Sequence, residues 1–243
     1  MALIWTKNVV IITAAAIAKF ITERLVRMPD FVDQVTTIEN LRQSNKKVMV
    51  AMSGGVDSST VALILREEGY EVTGVTGRMF VNEDIGLIEE SRCCSLADVE
   101  DARLAAHKIG AAHYVYNMGD SFKRTVITPF VNAYLAGDTP NPCVNCNKYV
   151  KFPQLLARAL LLGIDYLATG HYAKVLFDQE RKRWLLARAE DKSKDQTYML
   201  YALTQHELSH LLLPLGNLKK TEVRTKAGAA GLINATKPDS QDI

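Results

Sequence analysis

Ser53-Gly54-Gly55-Val56-Asp57-Ser58-Ser59 stands between a short apolar run, Val48–Met52, and a segment with helical spacing, Ser58–Glu68. Glycines let the backbone curl so that several N–H groups face one anion, and the N-terminus of the helix adds its positive end. The loop lacks the lysine of a Walker A motif and lacks G-x-G-x-x-G. Asp57 would repel a bare phosphate, so its presence indicates Mg²⁺ between carboxylate and pyrophosphate. The alternative is a tight turn capped by serine and aspartate.

Strands and helices alternate from this loop onward. Three further strands are predicted at Val72–Thr76, His113–Asn117 and Tyr166–Thr169, and three further helices at Leu96–Ile109, Phe122–Ala136 and Gln154–Leu162. A strand that leads through a helix to the next strand makes a right-handed βαβ unit and a parallel sheet. We therefore predict an α/β fold, a doubly wound parallel sheet with helices on both faces. Ligands bind such sheets at the carboxyl ends of the strands, where the glycine-rich loop lies.

The pattern changes beyond the last of these strands. Two apolar runs, Val175–Phe177 and Trp184–Ala187, flank a charged stretch and predict a hairpin. The remaining residues have a mostly helical pattern. Pro129 lies inside the predicted helix Phe122–Ala136 and argues against a straight helix there.

Composition excludes several classes of protein. The chain has 243 residues, 48% of them hydrophobic, and a net charge of +2, so disordered chains, collagen-like repeats and polytopic membrane proteins do not fit. A net charge this small does not indicate nucleic-acid binding, and we expect no DNA partner. Any basic surface must be local. One predicted helix has a local excess of positive charge, and contact with RNA phosphates and a solvated face explain it equally well. Its basic residues are Lys219, Lys220, Arg224 and Lys226.

The first 45 residues differ from the rest and are predicted to be an N-terminal extension and linker. Met1–Ile21 is mostly apolar, but its apolar stretch, Val9–Ala18, is about half of the roughly 20 residues that a membrane span needs. We expect a structural helix that ends before Pro29, and no membrane span. A helix that contacts a partner or a membrane surface, and a targeting segment, are the alternatives.

Four cysteines are too few for a disulfide scaffold and indicate a reducing compartment. Cys143 and Cys146 form a C-x-x-C motif, and the two prolines just before it predict an extended loop. Such a motif can be a redox pair, half of a zinc site or part of an iron–sulfur site. A zinc ribbon needs a second C-x-x-C, which the sequence lacks. Cys93 and Cys94 are expected to be buried small apolar residues.

Five blocks of sequence together carry a family resemblance. In chain order they are Ser53–Ser58, Gly137–Asn147 with Lys151 and Phe152, Ala168–Ala173, Lys194–Gln196 and Pro238–Ile243. The first block is similar to the pyrophosphate loop of the ATP-pyrophosphatase (PP-loop) group. The other four closely resemble the tRNA-specific 2-thiouridylase family, and the similarity runs from about Lys46 to the last residue.

This resemblance implies a tRNA sulfurtransferase. ATP would adenylate the 2-oxygen of the wobble uridine with the help of Mg²⁺, and sulfur from a persulfide or another donor would replace that oxygen, in the cytoplasm. Residues 46–190 would form the PP-loop adenylation domain and residues 191–243 a helical, tRNA-facing segment. A catalytically silent nucleotide- or RNA-binding remnant is the alternative.

The resemblance also implies roles for individual residues. ATP would be bound by Ala51, Met52, Ser53, Gly54, Gly55, Val56, Asp57, Ser58, Gly77 and Gly170. The tRNA would meet Asn141, Pro142, Cys143, Lys194, Asp195 and Gln196. Cys146 matches the catalytic cysteine of the family. Cys143 stands where many members have aspartate and is similar to a subgroup associated with an iron–sulfur cluster, with Cys143 and Cys146 as ligands. Gly77 departs from a larger side chain in the family, and we expect His171 to be structural.

In the family, a second essential cysteine follows the motif Pro-Asp-Ser-Gln-Asp-Ile, with which this sequence ends at Ile243. That cysteine carries the persulfide sulfur or would complete the cluster. From this chain alone we therefore expect ATP binding, weak tRNA binding and slow AMP formation, but no 2-thiouridine.

Overall fold

The computed structural model describes residues 46–79 and 96–239, which belong to one compact unit. The predicted N-terminal helix, the linker up to Asn45, Cys93 and Cys94, and the last four residues lie outside the described residues.

A parallel sheet of five strands is the centre of the fold, in the order β3-β2-β1-β4-β7. A separate antiparallel hairpin consists of β5 and β6. The strands are β1 Lys47–Ala51, β2 Glu71–Arg78, β3 Ala112–Asn117, β4 Tyr166–Ala168, β5 Ala173–Asp178, β6 Arg183–Arg188 and β7 Leu211–Leu212. The chain adds β2 and β3 on one side of β1 and returns to add β4 on the other. The order therefore reverses at β1, where doubly wound folds bind their ligands.

Helices connect the strands. They are α1 Val56–Glu67, α2 Leu96–Ile109, α3 Gly119–Phe122, α4 Thr128–Leu135, α5 Pro142–Asn145, α6 Phe152–Leu161, α7 Gln205–Ser209 and α8 Lys220–Ala229. The predicted doubly wound α/β fold is confirmed. Both hairpin strands and the elements predicted between β1 and β4 are found close to their predicted positions.

The core has two halves, one on each face of the sheet. Val48 and Val50 of β1 are buried on one face with Val61 of α1, and Met49 is buried on the other face with Leu155 of α6. Because neighbouring residues of a strand point to opposite faces, a strand that is covered on both sides is apolar throughout. This explains why β1 has a continuous apolar run.

Two prolines change the helices around them. The predicted helix Phe122–Ala136 is helical but not regular, because a π-helical turn, Lys123–Ile127, joins α3 to α4 just before Pro129. A second π-helical turn, Cys146–Lys151, joins α5 to α6 just before Pro153. Proline has no N–H and its ring clashes with the carbonyl four residues earlier, and a wider turn relieves both problems. The helix predicted to begin at Gln154 thus continues a helical segment that begins at Pro142.

The segment after residue 190 is mostly helical, as predicted, but it also supplies β7, which pairs with β4. In the same segment, α8 packs on α1, with Val223 and Ala227 fully buried. The predicted division at residue 190 thus does not separate two compact units, and it stays a prediction about function. In the ranges that the structure describes, no helix has the length and apolar character needed to cross a membrane.

Candidate active site

The glycine-rich loop is closed by its own serine. The N–H of Ser53 donates to Oγ of Ser58 over 3.1 Å, and that hydroxyl donates to the carbonyl of Gly55 at 3.3 Å. Gly54 has a φ of +77°, and a Cβ there would overlap the carbonyl of Asp98 in α2. Glycine is therefore required at position 54 both for backbone conformation and for the close approach of α2.

Asn234 holds the loop from the far end of the chain. Its side chain is 2% exposed, and its Nδ2 donates to the carbonyls of Gly54 (3.2 Å) and Gly55 (3.3 Å) and to Oγ of Ser59 (2.7 Å). These buried hydrogen bonds hold the loop against Asn234, whose Oδ1 has no hydrogen-bond partner among the described residues. Sequence reasoning missed this residue, and no motif in the sequence indicates its role.

Asp57 is held by two side chains that the motif does not contain. Nζ of Lys220 lies 2.8 and 2.7 Å from its two carboxylate oxygens, and the hydroxyl of Tyr172 donates to Oδ1 at 2.9 Å. Burial, followed by the negative charge of Asp57, raises the pKa of Tyr172, so this tyrosine stays a donor at neutral pH. The carboxylate of Asp57 is thus placed beside the loop and charge-compensated.

Asp239 connects the proposed tRNA-facing region to the loop. Its carboxylate lies 2.8 Å from Nζ of Lys194, 2.8 Å from Nζ of Lys220 and 2.6 Å from Arg224. Burial alone would raise the pKa of Asp239, but hydrogen bonds from Lys194 and Lys220 outweigh it and hold the pKa well below its usual range. Asp239 therefore stays ionised at neutral pH.

The basic residues of α8 do not form the open basic surface considered above. Lys220 has a side chain only 12% exposed and faces the loop, and Arg224 also donates to the carbonyls of Ala235 and Lys237. Lys226 pairs with Glu67 of α1 at 2.7 Å. Three of the four basic residues, Lys220, Arg224 and Lys226, thus have partners within the chain, and contact of this helix with RNA stays a prediction.

A cavity of about 560 Å³ brings the predicted site residues together. From the predicted nucleotide set it is lined by Ala51, Met52, Ser53, Asp57, Ser58, Gly77 and Gly170. From the predicted catalytic and tRNA sets it is lined by Cys146, Pro142, Cys143, Lys194, Asp195 and Gln196. The glycine-rich loop and the C-x-x-C motif, which lie far apart in sequence, thus share one cavity.

Four predicted residues do not line this cavity: Gly54, Gly55, Val56 and Asn141. Gly55 is the N-cap of α1 and Val56 is buried in the core. Asn141 is the N-cap of α5, where its Oδ1 accepts a hydrogen bond from the N–H of Cys143 at 2.9 Å. These residues shape the site without lining the cavity.

The two cysteines lie on a helical segment and not in the extended loop that the prolines predicted. Pro142 is the first residue of α5, a position where its fixed φ suits a helix and its missing N–H costs nothing. Cys143 follows it, and Cys146 begins the π-helical turn. Both are half-buried in the cavity wall.

Asp195 and Gln196 stabilise the structure around them. Asp195 accepts hydrogen bonds from the N–H of Ala189 (2.9 Å) and the hydroxyl of Thr197 (2.6 Å), and Gln196 accepts from the N–H of Tyr172 at 3.1 Å. These contacts place the Lys194–Gln196 block at the cavity. Contact of these residues with tRNA stays a prediction.

Gly170 lets the loop after β4 approach the glycine-rich loop closely. A Cβ at this position would lie 3.0 Å from the nitrogen of Ser58 and 3.2 Å from Cβ of Asp57. Its neighbour His171 is buried, and Nδ1 lies 2.8 Å from Oγ1 of Thr169. Burial, with a smaller contribution from Lys151, lowers the pKa of His171 to about 3. A neutral, hydrogen-bonded histidine supports the structural role predicted for it.

The donor groups differ in how well they suit the two expected metal groups. Mg²⁺ takes oxygen ligands, commonly one or two carboxylates with phosphate and water, so Asp57 in the cavity wall fits it. An iron–sulfur cluster takes four thiolates as a rule, and Cys143 and Cys146 supply two. Among the described residues, no group of three or more histidine, cysteine or acidic side chains is placed to hold a metal. The described part of the chain thus does not complete a cluster site.

Comparisons with known proteins show which family this chain matches. The family model described as tRNA methyl transferase HUP domain matches residues 46–243. Over 202 residues the chain is 52% identical to "tRNA-specific 2-thiouridylase MnmA" of Acetivibrio thermocellus, a match that covers 82% of this chain and 56% of the relative. It is 54% identical over 202 residues to "tRNA-specific 2-thiouridylase MnmA 2" of Caldanaerobacter subterraneus subsp. tengcongensis, covering 83% and 56%.

Similarity to solved structures is weaker. An NMN synthetase from Francisella tularensis aligns with 15% identity and a TM-score of 0.47, over 85% of this chain and 74% of that one. The chain spans 56% of the length of the two curated relatives named above.

Proposed function

The chain belongs to the tRNA methyl transferase HUP domain family, in agreement with the resemblance to tRNA-specific 2-thiouridylases, and we propose that it is the adenylating and tRNA-docking part of an ATP-dependent tRNA 2-thiouridylase. The family description names methyl transfer, whereas the curated relatives are named for thiolation. Two cysteines in the same cavity as a pyrophosphate-type loop favour thiolation.

One observation carries the proposal: Asp57 and Ser58 of the loop share a single cavity with Cys143 and Cys146. Thiolation by adenylation needs an α-phosphate, a uridine 2-oxygen and a sulfur nucleophile at one place, since reacting atoms must come within roughly 3–3.5 Å of each other. A silent nucleotide- or RNA-binding remnant would not need the thiols.

The proposed reaction has two steps. The uridine 2-oxygen attacks the α-phosphorus of ATP, the bond from that phosphorus to the bridging oxygen breaks, and pyrophosphate leaves. A sulfur nucleophile then attacks C2 of the base, and AMP leaves with the former 2-oxygen. Mg²⁺, when bound, neutralises charge that develops on the pyrophosphate. Asp57 would hold it, and the loop N–H groups and the N-terminus of α1 would bind phosphate oxygens.

A buried amide supports uracil as the base in this cavity. Asn147 lies next to Cys146, lines the cavity and is 3% exposed, and its Oδ1 has no hydrogen-bond partner among the described residues. A buried acceptor that lacks a donor is costly. Uracil offers a donor at N3, whereas N3 of cytosine carries no hydrogen, so a hydrogen bond to Asn147 distinguishes the two bases.

We further propose that Cys146 acts as a thiol towards a persulfide or other sulfur donor in the cytoplasm, where thiols stay reduced. The iron–sulfur alternative needs ligands beyond Cys143 and Cys146. Anaerobic purification tests it: the thiol proposal predicts a colourless protein, whereas visible absorption that is lost in Cys143→Ser would favour a cluster.

The proposed function is tested by tRNA-dependent cleavage of ATP. The chain is incubated with Mg·ATP and a tRNA that has uridine at the wobble position, and AMP and pyrophosphate are quantified. Equal amounts of both products, absent with a tRNA that carries cytidine at that position, are expected. Release of ADP and phosphate, or the same rate with both tRNAs, would contradict the proposal.

A further inference from the structure

Lys220 is a buried cation at a phosphate-type loop that has no lysine of its own. The loop Ser53–Ser59 contains no basic residue, yet Nζ of Lys220 lies within 2.8 Å of both carboxylate oxygens of Asp57. The lysine comes from α8, 163 residues further along the chain. It lines the same cavity as the loop and is 12% exposed.

The partners of this lysine would change on binding of a metal-bound nucleotide. In the structure described here, Lys220 is shared between Asp57 and Asp239, at 2.7 and 2.8 Å. A divalent ion at Asp57 competes for the same carboxylate oxygens, because it has twice the charge of an ammonium group. Lys220 then has a vacant donor at the wall of the cavity, and phosphate oxygens beside the metal ion are acceptors for it.

Residues other than this lysine also hold its helix in place. Val223 and Ala227 of α8 are fully buried, and Lys226 of the same helix pairs with Glu67 of α1 at 2.7 Å. The ion pair between Lys220 and Asp57 can therefore have a role besides the attachment of α8, namely to bring positive charge to the loop.

We propose that Lys220 binds the β- and γ-phosphates of ATP and the pyrophosphate that leaves. It would thus supply, from α8, the positive charge that the loop itself lacks. This inference rests on the proposed function and adds a residue to it. Lys220 remains protonated throughout and donates hydrogen bonds only, so it takes no part in proton transfer. It touches the pyrophosphate part of the nucleotide and not the adenosine part.

Calorimetric titration with Mg·ATP, Mg·pyrophosphate and AMP tests this assignment. Lys220→Met is expected to weaken ATP and pyrophosphate binding on the order of 10- to 100-fold, the usual range for a charge-assisted hydrogen bond. AMP affinity stays at the wild-type level. Lys226→Met is the matched control, since it removes a paired lysine from the same helix outside the cavity, and it leaves all three affinities unchanged.

Other outcomes overturn the proposal. Unchanged pyrophosphate affinity in Lys220→Met refutes it, and so does an equal loss of AMP and ATP affinity, which would mean that the lysine only maintains the loop. Lys220→Gln keeps a donor for Asp57 and Asp239 and serves where the methionine variant does not fold. A wild-type chain that binds no nucleotide refutes the proposed function instead, so the two failures are distinguishable.

Discussion

Replacing Asp57 by asparagine separates catalysis from stability. Asp57 has a side chain 30% exposed and shares Lys220 with Asp239, so the variant leaves that lysine with a carboxylate at 2.8 Å. No unpaired buried charge is created. The asparagine oxygen can keep the hydrogen bonds from Lys220 and Tyr172 to Oδ1, so the cost to folding is the charged hydrogen bond to Oδ2, about 1 kcal/mol after allowance for solvent screening. For a chain of this size this lowers the Tm by about 2–4 °C.

The effect on activity is much larger. Because Asp57 is proposed to hold Mg²⁺ beside the pyrophosphate, its loss is expected to lower kcat/KM for tRNA-dependent AMP release on the order of 100- to 1,000-fold, as for other removed electrostatic groups. AMP release and the Tm are measured on the same preparation.

Asp101→Asn is the matched control. Asp101 is also a carboxylate that shares its lysine, since Lys237 pairs with it at 2.6 Å and with Asp98 at 2.7 Å, and Asp101 does not line the cavity. A similar small loss of Tm and wild-type AMP release are expected for it. AMP release by Asp57→Asn at the level of this control would refute the proposed role in Mg²⁺ binding.

Three further predictions concern other residues of the cavity wall. Gly170→Ala forces a methyl group to 3.0 Å from a loop nitrogen and should weaken ATP binding in calorimetry, whereas Gly228→Ala, where a Cβ has open space, should not. His171 has a pKa of about 3 in the folded state against 6.5 unfolded, so only the unfolded chain gains a proton between these values, and stability falls as pH falls. Urea unfolding at pH 7.5 and 5 should show wild type losing about 2 kcal/mol more than His171→Gln, and equal losses would contradict the burial argument. Cys146→Ser should keep wild-type release of pyrophosphate in a single turnover, because adenylation needs no thiol, and loss of pyrophosphate release would place Cys146 in the first step.

Local signals explain why the fold was predictable. The apolar run of β1, the glycine-rich loop and the helical spacing of α1 are contiguous in sequence, and each follows from backbone geometry and burial. β7 was missed because a strand of two residues, Leu211–Leu212, has no period to detect. The start of a helix at Pro142 is predictable in principle, because asparagine is a common N-cap and proline a common first residue of a helix. The two prolines before the cysteines favour an extended loop instead, and that prediction is wrong.

The candidate site was predictable only where it is contained in motifs. Lys220 and Asn234 reach the loop from 163 and about 180 residues away, and tertiary packing alone decides that they meet it. Charge counting treated Lys220 as part of a surface helix because sequence does not reveal which carboxylates a lysine will meet. The absence of a lysine from the loop is the sequence signal that agrees with the role we propose for Lys220.

The fate of the uridine 2-oxygen tests the central claim most directly. A tRNA whose wobble uridine carries ¹⁸O at the 2-position is incubated with the chain and Mg·ATP, and the released AMP is analysed by mass spectrometry. Adenylation at this oxygen followed by attack at C2 predicts AMP that contains one ¹⁸O atom, whether sulfur or water is the attacking group. AMP without the label, with ¹⁸O retained in the tRNA, would contradict the account.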